Sequence, residues 1–199
     1  MIRVLKHGES QMLADMRSQP ARIRRAMSYT VGQEAHLLRK IMVRGIRDQA
    51  PGGRPILPLA DMTIKLRRLR GMRGRKALIA RSDLLKSITA QKQGELSWTV
   101  GVHRGARTRD GRDLVNLALV HEEGTRWYSV TVTPRMHRFS LFLMSQGILG
   151  APWKVGTRIR RKVPARPFLR PAWNEWIKDS QKRFHDRLVV MMSAERMVG

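Results

Sequence analysis

Apolar residues in the first quarter of the chain recur every three or four positions: Ile23, Met27, Val31, Ala35, Leu38, Met42 and Ile46. That spacing gathers them on one stripe of a helix, with Arg22, Arg25, Gln33, Arg39, Lys40 and Arg47 on the other side. The pattern therefore predicts a helix over residues 9–49 that packs on one face and meets solvent or a partner on the other. Ser18 as a cap and Pro20 in a first turn predict an interruption near residues 18–20. The period changes to two further on. Residues 83–87 read as a helical turn leading into a strand, 88–93, and Gly94 marks a hairpin. Beyond it Leu96, Trp98, Val100 and Val102 alternate with Ser97, Thr99 and Gly101, which predicts a half-buried strand. Residues 114–123 read as a short helix closed by Gly124. Residues 128–133 alternate again, and Thr133-Pro134 predicts a capped helix through about residue 142. The last helix is expected over 171–192, with Trp173, Trp176, Ile177, Phe184, Leu188, Met191 and Met192 on one face.

Between these elements lie segments with breakers and charge. Residues 50–59, APGGRPILPL, hold three prolines and two glycines and predict an extended loop. A weakly helical stretch, 60–70, leads into KLRRLRGMRGRKALIAR, residues 65–81, whose glycines and crowded cations predict a mobile, solvent-accessible basic loop. Lys65, Arg67, Arg68, Arg70, Arg73, Arg75 and Lys76 are its candidate contacts to DNA or to an acidic partner. Residues 104–113, RGARTRDGRD, form a polar loop with an Asp-Gly turn signal. In RIRRKVPARPFLRPAW, residues 158–173, the prolines fix φ and remove amide donors, so the segment stays extended ahead of the last helix, whose first turn accepts Pro171. Phe168 and Leu169 become an anchor that either tucks under its own domain or crosses a subunit interface. Pro164, Arg166, Pro167, Phe168 and Leu169 are the candidate assembly interface.

The fold class expected is α+β, a small mixed or antiparallel sheet packed against long N- and C-terminal helices. Its 199 residues suit a single domain with a helical region (1–49), a Pro/Gly-rich and basic region (50–81), and a region of sheet and C-terminal helix (82–199). A hydrophobic fraction of 42% suits a packed core, and the longest apolar runs, such as 139–144, are too short to cross a bilayer. The opening Met-Ile-Arg-Val-Leu-Lys lacks the apolar stretch of a secretion signal, so residence in a cytoplasm is expected.

Charge narrows the function. Forty Lys and Arg against 15 Asp and Glu give +25, a balance expected where a polyanion or an acidic protein surface lies alongside. With no cysteine, thiolate chemistry and cysteine zinc sites are excluded. His121 adjoins Glu122 and Glu123, but no second histidine stands at ligand spacing, which reads as a surface histidine. Neither a phosphate loop ending in Gly-Lys-Ser/Thr nor a Gly-x-Ser-x-Gly elbow occurs. Asp61, Asp83, Asp110, Asp113, Glu122 and Glu123 show no arrangement of metal-cluster type, and the expectation is a non-enzymatic protein without metal or cofactor.

Four segments in order carry a resemblance: LIARSDLLKSITAQ (78–91), WTVGV (98–102), LALVHEEGT (117–125) and VPARPFLRPAW (163–173). Together they resemble the tail-completion, or virion-morphogenesis, proteins of long-tailed bacteriophages, over the chain from residue 78 onward and with the long N-terminal helix in its expected place. The chain departs from that family at Ser82 or Asp83, where glycine is usual, at Leu117, where an aromatic is usual, and in its basic segment 65–76. The resemblance implies a ring-forming α+β subunit, hexameric, at the head–tail junction, in the virion neck or tail and in host cytoplasm during assembly. Its implied partners are copies of itself, the tail tube protein, head–tail connector proteins and the genome DNA end in the ring's lumen, with no membrane. The alternative from another class is a free basic nucleic-acid-binding protein of ribosomal or nucleoid type.

Overall fold

The structure, a computed structural model, describes residues 9–72 and 74–197, and of residues 9–19 and 194–197 the backbone only. Arg73 and the opening Met-Ile-Arg-Val-Leu-Lys lie outside the described residues. Helix α1, Glu9–Asp48, is the spine. It passes through Pro20 without the interruption expected there. A proline removes one amide donor, and helical turns continue on both sides of the loss. The predicted stripe is buried where the rest of the chain reaches it: Ala35, Leu38 and Met42 are buried and Ile46 fully so, whereas Ile23 is exposed.

A tight turn at Pro51–Gly53 follows α1, then α2, Asp61–Leu69, and α3, Asp83–Ser87. Strands β1, Ile88–Gly94, and β2, Ser97–Val102, form an antiparallel hairpin from Ile88↔Val102 to Gly94↔Ser97, with a register shift between Lys92 and Gly94. The hairpin lies on α1, where Arg39 Nε donates to the Ile88 carbonyl at 2.8 Å and Ser28 Oγ to the Glu95 carbonyl at 2.7 Å. Helix α4, Leu114–Glu123, starts at Asp113, whose carboxylate accepts from the amides of Val115 and Asn116.

One core unites these pieces. Leu38, Met42 and Ile46 of α1 meet Leu84, Leu85 and Ile88, then Leu114 and Ala118 of α4, and finally Phe168 and Ala172. Burying a side chain such as Ile46 or Phe168 contributes about 1.5–3 kcal/mol. The expected final helix is two helices, α6, Leu169–Ile177, and α7, Ser180–Met197. The break lets residues of both reach one buried carboxylate on α1. Glu34 accepts from Trp176 Nε1 at 2.8 Å and from Arg183 Nη2 at 3.2 Å, and is paired with Arg187 Nη1 at 2.8 Å.

Residues 126–162 leave this body and return. Strand β3, Tyr128–Thr131, runs into α5, Pro134–Ser145, and a loop brings the chain back as β4, Arg158–Arg161. The strands pair antiparallel from Tyr128↔Arg161 to Thr131↔Arg158, a strand not expected from the sequence. The α+β class therefore holds, but as two separate two-stranded antiparallel sheets in place of a single small one. The excursion has its own small core of Val132, Ser140 and Leu143. Ser140 Oγ donates to the His137 carbonyl and accepts from the Trp153 amide, and His137 Nδ1, carrying the proton, donates to the Trp153 carbonyl at 2.6 Å.

Candidate functional site

Two of the segments that carry the resemblance meet in space. Helix α4 ends at Gly124, with φ 74°, and an added Cβ would stand 2.8 Å from the Ala165 amide nitrogen and 3.0 Å from the Val163 carbonyl oxygen. Glycine is needed there on both counts, for its conformation and for the close approach of the returning chain. The two backbones are then stitched together. Thr125 N donates to the Val163 carbonyl at 2.9 Å, Val163 N to Thr125 Oγ1 at 2.8 Å, and Arg166 N to the His121 carbonyl at 2.6 Å.

Glu122 completes the clasp. Its Oε2 accepts from the amides of Phe168 and Leu169 at 2.8 and 2.9 Å, and its Oε1 from that of Arg170 at 2.8 Å. These are the unpaired donors at the start of α6, and a carboxylate is the favoured partner for them and for the helix dipole. Both oxygens of Glu122 are thereby committed to amides. Beside it an open cleft of about 630 Å³ is lined by Arg54, Glu123, Arg170, Asn174, Glu175 and Lys178 among others, a mixed-charge surface.

The candidate assembly residues divide. Phe168 is wholly inaccessible in the core, and Arg166 is buried with Nε and Nη2 donating to the Leu57 and Pro58 carbonyls at 2.8 and 3.0 Å. Neither side chain is presented to a neighbouring subunit, which corrects the reading of both as interface. Residues 162–168 join no helix or strand, and the Glu122 carboxylate holds the amides of Phe168, Leu169 and Arg170 against the body. Leu169 packs half-buried at the margin of the core, Pro164 is half-buried, and Pro167 is exposed.

The weakly helical stretch expected over 60–70 is helix α2, and beyond it the described residues of the basic segment join no helix or strand. Two of the segment's cations fasten it down. Arg67 Nη1 donates to the Lys76 and Gly74 carbonyls at 2.8 and 3.3 Å, and Lys76 Nζ to the Arg47 carbonyl at 2.6 Å. Lys65, Arg68, Arg70 and Arg75 are exposed and, among the described residues, their side chains make no hydrogen bond or ion pair. Arg73 is not among those described.

Arg67 and Arg166 also shape a neighbour. Burial lowers the pKa of the Arg166 guanidinium, and burial together with Arg166 lowers that of Arg67. His121, expected on the surface, is half-buried with Nδ1 unpartnered among the described residues. Burial, then the charges of Arg166 and Arg67, push its pKa below the ordinary histidine value.

Sequence reasoning missed the capping role of Glu122, which has no local signal because its partners lie 46–48 residues away. It also missed the cationic face of β4, for which a signal existed: no Asp or Glu occurs between Glu123 and Glu175.

No family model, curated protein or solved structure matches the chain.

Proposed function

We propose that this chain is a non-enzymatic structural subunit of a long-tailed phage virion. It forms a hexameric ring at the head–tail junction that terminates or completes the tail and joins it to the head connector. The observation that carries this reading is the convergence of all four resembling segments on one core, with α1 as the spine. Leu84, Leu85 and Ile88 come from the first, Val100 and Val102 from the second, Ala118 from the third, Phe168 and Ala172 from the fourth. The resemblance thus follows contacts that build a fold.

Two surface features support assembly with other proteins. On α5, Phe139 and Phe142 stack at 6.4 Å and are both exposed on one face, and Leu141 and Met144, also three apart, are exposed on another. Apolar groups presented together in this way mark interaction sites. The four unpaired cations Lys65, Arg68, Arg70 and Arg75 suit an acidic neighbouring ring or the genome end in the lumen.

Electron microscopy of assembled particles tests the reading. A ring of this subunit between head and tail is the expected result, and a neck without it overturns the proposal. The alternative, a free basic nucleic-acid-binding protein, is favoured by the +25 charge alone. Light scattering with and without DNA separates the two: a ring whose mass is insensitive to salt supports the virion subunit, and a monomer with tight, salt-sensitive DNA binding supports the alternative.

A further inference from the structure

The outer face of the β3–β4 ribbon is rich in cations. Side chains alternate between faces along a strand, so Arg158, Arg160 and Lys162 point to one side. The pairing Ser129↔Arg160 and Thr131↔Arg158 puts two hydroxyls opposite the arginines, and Trp127 and Lys162 lie close together just beyond the paired residues. Every one of these six residues is exposed, Trp127 to 60%. The opposite face holds Val130 and Ile159, half-buried, with Tyr128 and Arg161 exposed at one end.

The tryptophan organises the cations. Arg160 Cζ lies 5.3 Å and Lys162 Nζ 6.0 Å from the centre of its ring, within cation–π range. Among the described residues, no hydrogen bond or ion pair uses the charged ends of Arg158, Arg160 or Lys162. Residues 126–162 contain eight Lys and Arg and no Asp or Glu. Glu123 is the carboxylate at the border, across an open cleft of about 500 Å³ from Trp127 and Lys162.

We propose that this face is a docking surface for duplex DNA, gripped by its phosphate backbone without reading of sequence. Its occupant must be anionic, because nothing in the excursion neutralises it. Phosphate contacts are made by Arg, Lys and hydroxyl side chains, and those are what the face offers. An acidic protein would need an apolar centre ringed by polar groups, whereas here the centre is cation and hydroxyl and its single aromatic stands at one end. A single strand would need a series of open aromatic faces for successive bases. This face has one, already approached by two cations, and the ribbon's other exposed aromatic, Tyr128, lies on the opposite face. The surface differs from the segment 65–76 and requires neither a ring nor a virion, so its failure leaves the assembly reading untouched.

The test uses the full-length protein and a labelled duplex of arbitrary sequence of about 20 base pairs, with fluorescence anisotropy from about 50 to 300 mM salt. Replacing the three ribbon cations (R158Q/R160Q/K162Q) should weaken binding at least about tenfold and flatten the log–log salt slope by roughly 2–3, one contact's share for each phosphate released. The melting temperature should hold, since all three side chains are exposed. A matched control of three exposed cations elsewhere (R104Q/R109Q/K182Q) should change both quantities far less. The proposal is overturned if the ribbon variant keeps wild-type affinity and slope, whether or not R68Q/R70Q/R75Q weakens binding. It is equally overturned if oligo-dT outcompetes the duplex and Trp127→Ala removes that preference, or if polyglutamate binds and the duplex does not.

Discussion

In the body built on α1, two carboxylates are withdrawn from solvent and committed: Glu34 to Trp176, Arg183 and Arg187, and Glu122 to three amides of α6. In the excursion of residues 126–162 there is no carboxylate to commit, and its cations stand in solvent over a small core of Val132, Ser140 and Leu143. Both regions contain an antiparallel pair of strands and a helix begun by proline or an extended proline-rich approach. They differ in what completes them. The body ties Glu34 and Glu122 to donors far along the sequence, while the excursion leaves its charge and much of its apolar surface for something outside the chain. A stable frame and a presented surface are thus separated within one chain.

The largest expected effect tests that separation directly. Phe168→Ala should destabilise by about 3–5 kcal/mol, the range for removing a fully buried aromatic. Phe142→Ala on exposed α5 should stay within about 0.5 kcal/mol. Urea unfolding of both variants measures the contrast, and comparable losses would show that the excursion is as tightly packed as the body.

Next in size is Gly124→Ala. With φ 74° and ψ −171°, Gly124 occupies a region essentially reserved for glycine, where another residue costs about 1–3 kcal/mol, and the contact with the Ala165 backbone adds to that. Gly156→Ala, with φ 83° but open space around its Cβ, should show the conformational cost alone. Equal losses in thermal melts would break the claim that the returning chain crowds Gly124.

Helix caps give a finer comparison. Glu122→Ala should cost about 2 kcal/mol, because it strips three amides and a favourable dipole interaction from α6. Thr133 caps α5 with a single bond to the Met136 amide at 3.3 Å, so Thr133→Ala should cost about 1 kcal/mol or less. Chemical denaturation of the pair ranks them, and a reversed order would remove Glu122 from the centre of the clasp.

The smallest effect is one of pH and belongs to the body alone. His121 has a native pKa below its unfolded one, since burial and then Arg166 and Arg67 oppose its charge. Below the unfolded value of about 6.5, the unfolded chain takes up a proton that the native one resists, so stability falls as pH drops from there toward the lowered native pKa. His121→Gln should reduce that acid-side slope between about pH 6.5 and 5, above most carboxylate titrations. Melting temperatures across this window that fall equally in both proteins would contradict the assignment.

The sequence was legible wherever the signal is local. The hairpin at Gly94, helix α4 with its glycine stop, the Thr133 cap and the stripe of α1 follow from period, capping and turn chemistry, because neighbours in the chain decide them. The Arg-Ile-Arg-Arg strand escaped notice because its cations gave no usable alternation of apolar residues and its partner lies about thirty residues earlier. Pro20 misled because a helix can lose one donor and continue, and the unbroken helix expected over 171–192 missed the break between α6 and α7, which has no local breaker residue.

By itself the sequence determined the charge excess, the absence of cysteine chemistry, the α+β class and the stiff proline-rich approach to α6. Tertiary structure alone decided that Phe168 and Arg166 point inward, that Arg67 and Lys76 fasten their own segment, and that Arg158, Arg160 and Lys162 share a face with Trp127. The physical reason is common to all three. Whether a proline-rich anchor or a run of cations is spent internally or presented depends on which carbonyls, amides and carboxylates arrive beside it, and in this chain those arrive from far along the sequence.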